Sequence, residues 1–505
     1  MSNALTAIGG KFRSLFGEQD MTVGKTSSCL WKFAIPMLIS NIIQQLYSAA
    51  DAAIVGNYIG SDALSAVTAT GPIVNFFLVF LMAVGAGVTV MVSQYFGAKD
   101  NENLGLSVGN AITLMIIMSV VLTAISVPLT SPLLKLLETN EDILGMTHIY
   151  LLILFWGTAA SGFYNVMSGI LRGLGDSVFP LIALLIAVVI NIFLDIWLVS
   201  SWSAKWGAEA GVAGAAVATV ASQLISAIAC TVRILHRKQL FSINRATLKL
   251  KSVIVRQIVR LGLPTGIQMA VMFLSNIVMQ PFIMAMGSSV FAAQGATMRV
   301  DGFAVMPCMA FQNAVSTYTG QNIGAGKMDR VKKGGRTTLI MSMAFTLVMV
   351  AAILIWGKYL FALFLKVMVE VDGVKVLDKF GKPIVDQVAT DALVKMGMGF
   401  ITIMVPAYII MAVNMTFNGV MRGAGDSVGT MWISLIINVF LKVPVTLILI
   451  FASKTAADGA WPNGNPDMMM WGMVICMCIG VVITLVYYKI GRWKKKSIIR
   501  QAVAN

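Results

Sequence analysis

Two aspartates stand inside long apolar segments of this sequence, where an ionisable side chain is costly and usually serves a function. Asp51 follows Lys32 and Asp195 follows Asp176, each by about 19 residues, which places both carboxyls ~28 Å along their helices at ~1.5 Å per residue. If they approach each other at this shared depth, they would release their protons in two separate steps, which suits a group that must gain and lose a proton. The same oxygens could instead hold sodium together with neutral oxygen ligands.

Neutral polar residues accompany both aspartates at helical spacing. Asn191 lies four residues before Asp195, on the same helix face. The stripe on the first apolar segment consists of Asn41, Gln44, Gln45, Ser48 and Asp51. A polar stripe at membrane depth is expected to face protein or water. The alternative is that these groups only join helices by hydrogen bonds or lie near the outer interface.

The elements that must position these residues are membrane helices. Hydrophobic residues make up 58% of the 505 residues, charged residues make up 12%, and the mean hydropathy is +0.83. Stretches of ~20 apolar residues are long enough to cross the hydrocarbon core as helices. Twelve are predicted, near 31–57, 63–93, 104–127, 146–171, 177–200, 211–235, 256–286, 290–319, 334–364, 391–420, 427–452 and 468–490. The predicted fold class is an all-α polytopic membrane protein.

The net charge of +15 is explained by membrane orientation rather than by nucleic-acid binding. Basic residues crowd the connections between spans six and seven and between spans eight and nine, and they follow span twelve. By the positive-inside rule these connections are cytoplasmic, so both termini are predicted to lie in the cytoplasm of a cell that carries the protein in its plasma or inner membrane. The N-terminus lacks the pattern of a removable signal peptide.

Two phrases occur twice in the same order. Residues 93–98 correspond to 320–325, and residues 172–177 correspond to 422–427. Such a duplication predicts two six-helix halves related by a pseudo-two-fold axis along the membrane normal, around a central cavity. The predicted organisation is a cytoplasmic segment 1–30, an N-lobe 31–235, a basic linker 236–255, a C-lobe 256–490 and a basic tail 491–505.

The spacing between the two phrases is longer in the second half, which locates an insertion near residues 367–389. Alternation around Asp372 and Gly373 predicts a small external β-hairpin there. It is either a solvated elaboration of a loop or a functional lid.

Side chains for a cofactor or for enzyme catalysis are scarce. The cysteines fall mostly in or beside the apolar spans without metal-ligand partners, and there are only two histidines: Cys29, Cys230, Cys308, Cys476, Cys478, His148 and His236. They predict no disulfide framework and no zinc site. A phosphate-binding Gly-rich loop is also absent, so ATP is not expected to be the direct energy source. We therefore predict a protein without a resident cofactor that is not an enzyme.

The sequence resembles the multidrug and toxic compound extrusion (MATE) family. Beside the two repeated phrases, the resemblance rests on residues 21–24, Pro36, 44–51 and 54–60, and it extends over about residues 21–490. It implies two six-helix lobes around a V-shaped cavity, and export of small amphipathic or cationic organic compounds by antiport with protons or sodium. A monomer surrounded by membrane lipids is expected.

The resemblance also implies a cation-coupling site in the N-lobe. That site maps onto Asp51, Asn191, Asp195 and Thr219, and it would hold either a proton or Na⁺. The second half departs from this pattern, because Lys442 stands opposite Asp195 when the halves are aligned. Arg299 and Asp301 remain there, either as an ion pair with each other or with Lys442, or in a transport role.

Methionines are concentrated in the second half, and flexible thioethers can repack around dissimilar apolar guests. The alternative is that each methionine faces lipid or fills a core. The residues predicted to line the substrate cavity are Gln44, Met272, Met279, Arg299, Asp301, Met306, Met411 and Lys442.

Two other functions were weighed against export. A flippase for lipid-linked saccharide precursors would need several inward-facing arginines or lysines for the diphosphate. The sequence identifies only Arg299 and Lys442 as intramembrane cations, which favours export of organic compounds. A membrane enzyme would need a nucleophile or metal constellation, and none is recognisable.

Overall fold

The computed structural model describes residues 19–136, 139–237, 240–365, 370–371, 374–375, 386–454 and 463–499. The helices of the first half are α1 Thr26–Tyr58, α2 Ser61–Ala98, α3 Asn101–Leu136, α4 Glu141–Trp156, α5 Thr158–Gly173, α6 Val178–Trp206, α7 Ala208–Leu235 and the short α8 Arg245–Leu248. Those of the second half are α9 Ser252–Ala285, α10 Ser288–Gly324, α11 Met328–Phe364, α12 Gln387–Gly423, α13 Ser427–Leu435, α14 Val443–Ala452 and α15 Pro466–Ile490. A π-helix, Ile436–Lys442, joins α13 to α14, and a 3₁₀-helix, Arg492–Lys495, follows α15.

The helices coincide with the predicted spans and extend several residues beyond most of them. Ten of the described helices are long and apolar enough to cross a membrane, and the bent pair α4 and α5 makes eleven. The helix α10 is 37 residues long but more polar than these. It corresponds to predicted span eight, so the count of twelve spans stays a prediction at that helix.

Two breaks in the helices were not predicted. At Gly157 the fourth span bends by 45° between α4 and α5. In span eleven the π-helix comes just before Pro444, which cannot donate a backbone hydrogen bond. A π-turn is one way in which a helix adjusts its register next to such a residue.

Each half has its own apolar core. One core lies among α2, α3, α5 and α9, and the other among α9, α10, α12 and α15. A third cluster joins the start of α1 to α10 and includes Leu30, Phe33, Phe311 and Tyr318. Helix α2 also packs along α9 and α10, so the two lobes are in contact with each other.

The lobes are tightly joined at the end where α2 and α10 terminate. The side chain of Gln94 donates to the carbonyl of Gly423 at 3.0 Å, and Gln321 donates to the carbonyl of Gly173 at 3.0 Å. Glycine at position 97 is required by this packing, because a Cβ there would meet the carbonyl oxygen of Gln321. The two repeated phrases therefore meet crosswise, each lobe binding the other. We call this region the closed end.

The second repeated phrase also begins the helices that follow it. Asp176 accepts a hydrogen bond from the Phe179 amide at 3.0 Å, and Asp426 accepts one from the Gly429 amide at 3.2 Å. Both aspartates thus cap the next helix.

In the inserted segment, the two-residue strands β1 Glu370–Val371 and β2 Val374–Lys375 pair in antiparallel register, which agrees with the predicted hairpin. Asp372, Gly373 and most of the insertion lie outside the described residues.

Candidate functional site

Three helices of the N-lobe bring the predicted coupling residues together. Asp51 comes from α1, Asn191 and Asp195 from α6, and Thr219 from α7. Asn191 and Asp195 are fully buried, and Asp51 is 9% exposed. The carboxyls of Asp51 and Asp195 lie close enough to interact directly, and the Tyr150 hydroxyl of α4 lies beside Asp51. The sequence did not identify Tyr150, whose spacing within α4 carries no polar pattern.

Many polar atoms of this cluster make no hydrogen bond within the described part of the chain. They are Tyr47 Oη, Asp51 Oδ1, Asn191 Oδ1 and Nδ2, both carboxyl oxygens of Asp195, and Thr219 Oγ1. Leaving a buried polar atom unpaired is unfavourable, by about 1–3 kcal/mol for a neutral group and by more for a charged one. The cluster can therefore accept a proton or a small cation that these oxygens would coordinate.

Small residues on α7 make this burial possible. Helix α7 carries the buried residues Gly211, Gly214, Ala215, Ala216 and Ala218, and it packs closely along α6. A Cβ at Gly214 would touch the backbone of Leu198 on α6. Because the two helices approach so closely, Asp195 on α6 is screened from the outside of the bundle by protein.

A cavity of about 580 Å³ lies between the two lobes, next to this cluster. Its N-lobe wall includes Asn41, Gln44, Gln45 and Ser48, four members of the polar stripe predicted on the first span. A narrow crevice between α1, α6 and α7 shares Gln44 with the cavity and reaches Tyr47. The coupling cluster and the cavity are thus neighbours within the N-lobe.

Two of the eight predicted cavity residues, Gln44 and Met306, line this cavity. Four further methionines also line it: Met37, Met82, Met269 and Met309. The cavity therefore has a methionine-rich surface, but most of its methionines are not the predicted ones. Of the remaining predicted residues, Met272 is 43% exposed, whereas Met279 and Met411 belong to the C-lobe core and its edge. Sequence spacing gave the helix of each methionine but not the face that meets the cavity.

The predicted cations and acid of the C-lobe do not line the cavity and do not pair with one another. Asp301 accepts a hydrogen bond from Tyr408. Lys442 donates to Asn276 Oδ1 at 2.7 Å, and the Arg299 guanidinium lies 5.3 Å from the centre of the Phe364 ring. The predicted ion pairs are therefore wrong, because each of these groups finds a neutral partner on a neighbouring helix or turn.

Two arginines that the sequence analysis did not place among the cavity residues also line the cavity. They are Arg172 and Arg422, the first residues of the second repeated phrase. The predicted spans end at residues 171 and 420, just before these arginines, but α5 continues to Gly173 and α12 to Gly423. Each arginine therefore lies in the last turn of a helix, and its long side chain reaches into the space between the lobes.

Comparison with known proteins agrees with this architecture. The profile of the MatE family matches residues 36–197, 264–367 and 380–448, well over half of the chain. A probable multidrug resistance protein of Bacillus subtilis, YoeA, is 26% identical over 96% of this chain and 98% of its own length. The probable multidrug resistance protein NorM of Thermotoga maritima is 25% identical over 93% of this chain and 94% of its own length.

Solved structures show the same fold. The outward-facing structure of a multidrug resistance MATE family transporter of the MOP superfamily aligns with a TM-score of 0.80 at 19% identity. The alignment covers 93% of this chain and 96% of that one. The family match, together with two joined helical lobes around a central cavity, shows that this chain belongs to the MatE family of multi-pass membrane transporters.

Proposed function

We propose that this MatE protein exports organic compounds from the cell in exchange for an incoming proton or sodium ion. The observation that supports the coupling most directly is the pair of facing, buried carboxyls of Asp51 and Asp195 beside the central cavity. Its relatives YoeA and NorM are named as probable multidrug resistance proteins, which supports small organic compounds as substrates. We expect a monomer in contact with membrane lipids.

The charge distribution supports the direction of transport. Arg233 and Arg237 lie near the closed end, at 3.3 and 3.5 Å from Asp176, and Arg330 binds the carbonyl of Gly24 there. By the positive-inside rule this end faces the cytoplasm. The cavity is then closed towards the cytoplasm, in the state from which substrate would leave to the outside.

Coupling follows from the cost of two buried carboxylates. With both ionised, Asp51 and Asp195 repel each other in surroundings that lack water, and one bound proton or Na⁺ removes most of that cost. Tyr47, Asn191 and Thr219 supply neutral oxygens around them. Because Asp51 and Gln44 share α1, a shift of this helix on ion binding would also change the cavity wall.

Transport by purified protein in proteoliposomes tests this proposal. A proton gradient and a sodium gradient are imposed separately, and uptake of a fluorescent organic compound is followed for the parent and for Asp51→Asn. We expect one gradient to drive the parent and neither to drive the variant. Asp301→Asn is the matched control, since Asp301 is a buried acid of the other lobe that binds Tyr408. Equal gradient-driven transport by parent and Asp51→Asn would contradict the coupling role.

A flippase for lipid-linked saccharides is the second candidate. Arg172 and Arg422 line the cavity, whereas the sequence had identified only Arg299 and Lys442 as intramembrane cations. The same proteoliposomes, loaded with a labelled lipid phosphate, test it directly. Lipid translocation that needs no ion gradient would favour the flippase over the exporter.

A further inference from the structure

Two guanidinium groups, one from each lobe, lie at the bottom of the central cavity near the closed end. Arg172 and Arg422 both line the cavity, and they are near enough for their charges to repel. The next residues, Gly173 and Gly423, accept the hydrogen bonds of Gln321 and Gln94. The arginines are therefore fixed directly above the contact that joins the lobes.

The protein provides few hydrogen-bond partners for these two guanidinium groups. Arg422 donates to Asn313 Oδ1 at 2.8 Å, a neutral partner. The Arg172 guanidinium makes no hydrogen bond or ion pair with another side chain or carbonyl in the described ranges. Two like charges that face each other without a counter-charge are unfavourable, and a carboxylate or phosphate between them would offset that repulsion.

The surrounding wall suits an anion better than a cation. Beside the arginines, hydroxyl and amide groups that can donate hydrogen bonds line the cavity, among them Asn165, Ser316 and Thr317. Among the described residues that line it, none is an aspartate or glutamate. Asp176 lies four residues after Arg172 but caps α6 and binds Arg233 and Arg237, so it does not neutralise the pair.

The geometry points to an anion-binding floor in this cavity, which takes the carboxylate, sulfonate or phosphate of an amphiphilic substrate between Arg172 and Arg422. The apolar part of that substrate lies against the thioethers of Met37, Met269, Met306 and Met309. This inference rests on the proposed transport function and narrows its substrates to amphiphiles with an acidic group. Because each lobe supplies one arginine, the bound anion bridges the lobes.

Three probes that share the nitrobenzoxadiazole fluorophore and an aminohexyl chain test the inference. They end in a carboxylate, a neutral amide or an ammonium group, and their affinities for the purified full-length protein are measured by fluorescence polarisation. We expect the parent to bind the carboxylate about tenfold more tightly than the amide, as a charge-assisted contact would give. Arg172→Gln and Arg422→Gln should each remove most of this preference and leave the amide affinity unchanged.

Two control variants separate binding from folding. Arg172→Lys keeps the charge and should retain part of the preference, and Arg299→Gln removes an arginine outside the cavity and should retain all of it. Equal affinity of the parent for all three probes would overturn the inference. Equal weakening of all three probes by Arg172→Gln would overturn it too, because it indicates a structural role.

The source of the anion is decided in proteoliposomes. Gradient-driven transport of the carboxylate probe indicates that the substrate is a free amphiphile. Translocation of a nitrobenzoxadiazole-labelled phosphatidic acid indicates that it is a lipid with an anionic headgroup. Either result supports an anion-binding floor. Transport of the ammonium probe without the carboxylate would overturn the inference while leaving the exporter intact. If the carboxylate preference in binding persists but no probe is transported, the proposed transport function fails and the anion site stands.

Discussion

The side-chain amide of Gln94 donates a hydrogen bond to the carbonyl of Gly423 in the opposite lobe at 3.0 Å. Its carbonyl oxygen accepts from the backbone amide of Ile498 at 3.0 Å, in the segment after the last long helix. Gln321 repeats this arrangement, donating to Gly173 and accepting from the backbone amide of Met21 at 2.9 Å. Each glutamine thus joins the two lobes and also holds one terminal segment of the described chain.

Hydrogen exchange should reveal this arrangement segment by segment. Gln94→Leu removes the acceptor of the Ile498 amide, so we expect faster exchange at residues 496–499 and unchanged exchange at residues 19–25. Gln321→Leu should show the reverse. Each substitution leaves a buried backbone group without its hydrogen bond, which costs about 1–3 kcal/mol of local stability. This loss is enough to raise the local exchange rate severalfold.

The two variants serve as controls for each other, and mass spectrometry of peptides from both ends reads them together. Faster exchange at both ends in either variant would contradict the view that each glutamine holds its own terminal segment. It would indicate instead that the closed end opens as a unit.

A methyl group at position 97 should force the closed end apart. A Cβ at Gly97 would meet the carbonyl of Gln321, which is backbone and cannot rotate away. We expect Gly97→Ala to lower the free energy of unfolding by about 1–3 kcal/mol through overpacking, measured by thermal denaturation in detergent. Gly71→Ala in the same helix is the control, because a Cβ there has open space. Equal melting temperatures for the two variants would contradict the close approach.

The sequence predicted the helices because apolar length and repeated phrases are local signals. Asp51 and Asp195 were placed together because depth along a membrane helix follows directly from residue number. The helical spacing of the polar residues from Asn41 to Ser48 likewise predicted which face of α1 lines the cavity. These predictions needed only the rise and the periodicity of an α-helix.

What the sequence missed depends on contacts between helices. The inward direction of Arg172 and Arg422 follows from α5 and α12 continuing two and three residues beyond the predicted ends of their spans. The partners of Asp301 and Lys442 are Tyr408 and Asn276, which lie 107 and 166 residues away along the chain. No pattern within one helix reports such pairings.

Lys442→Met tests the corrected role of this lysine. Its ammonium group donates to Asn276, and it lies at the end of the π-helix rather than in the cavity wall. We expect the loss of this hydrogen bond to destabilise the protein by about 1 kcal/mol, while the initial rate of transport changes less than about twofold. Thermal denaturation and proteoliposome transport measure the two effects. A large loss of transport without a loss of stability would return Lys442 to the transport pathway.

Thr219→Val distinguishes the two coupling ions. The substitution keeps the branched shape but removes the Oγ1 atom, which has no hydrogen-bond partner among the described residues. A proton needs only a carboxyl oxygen, so proton-driven transport should change by less than about twofold. Sodium needs several oxygen ligands, so a sodium-driven transporter should need roughly tenfold more sodium for half-maximal rate. Thr219→Ser keeps the oxygen and is the control; if it behaves like Thr219→Val, packing rather than ion binding is affected.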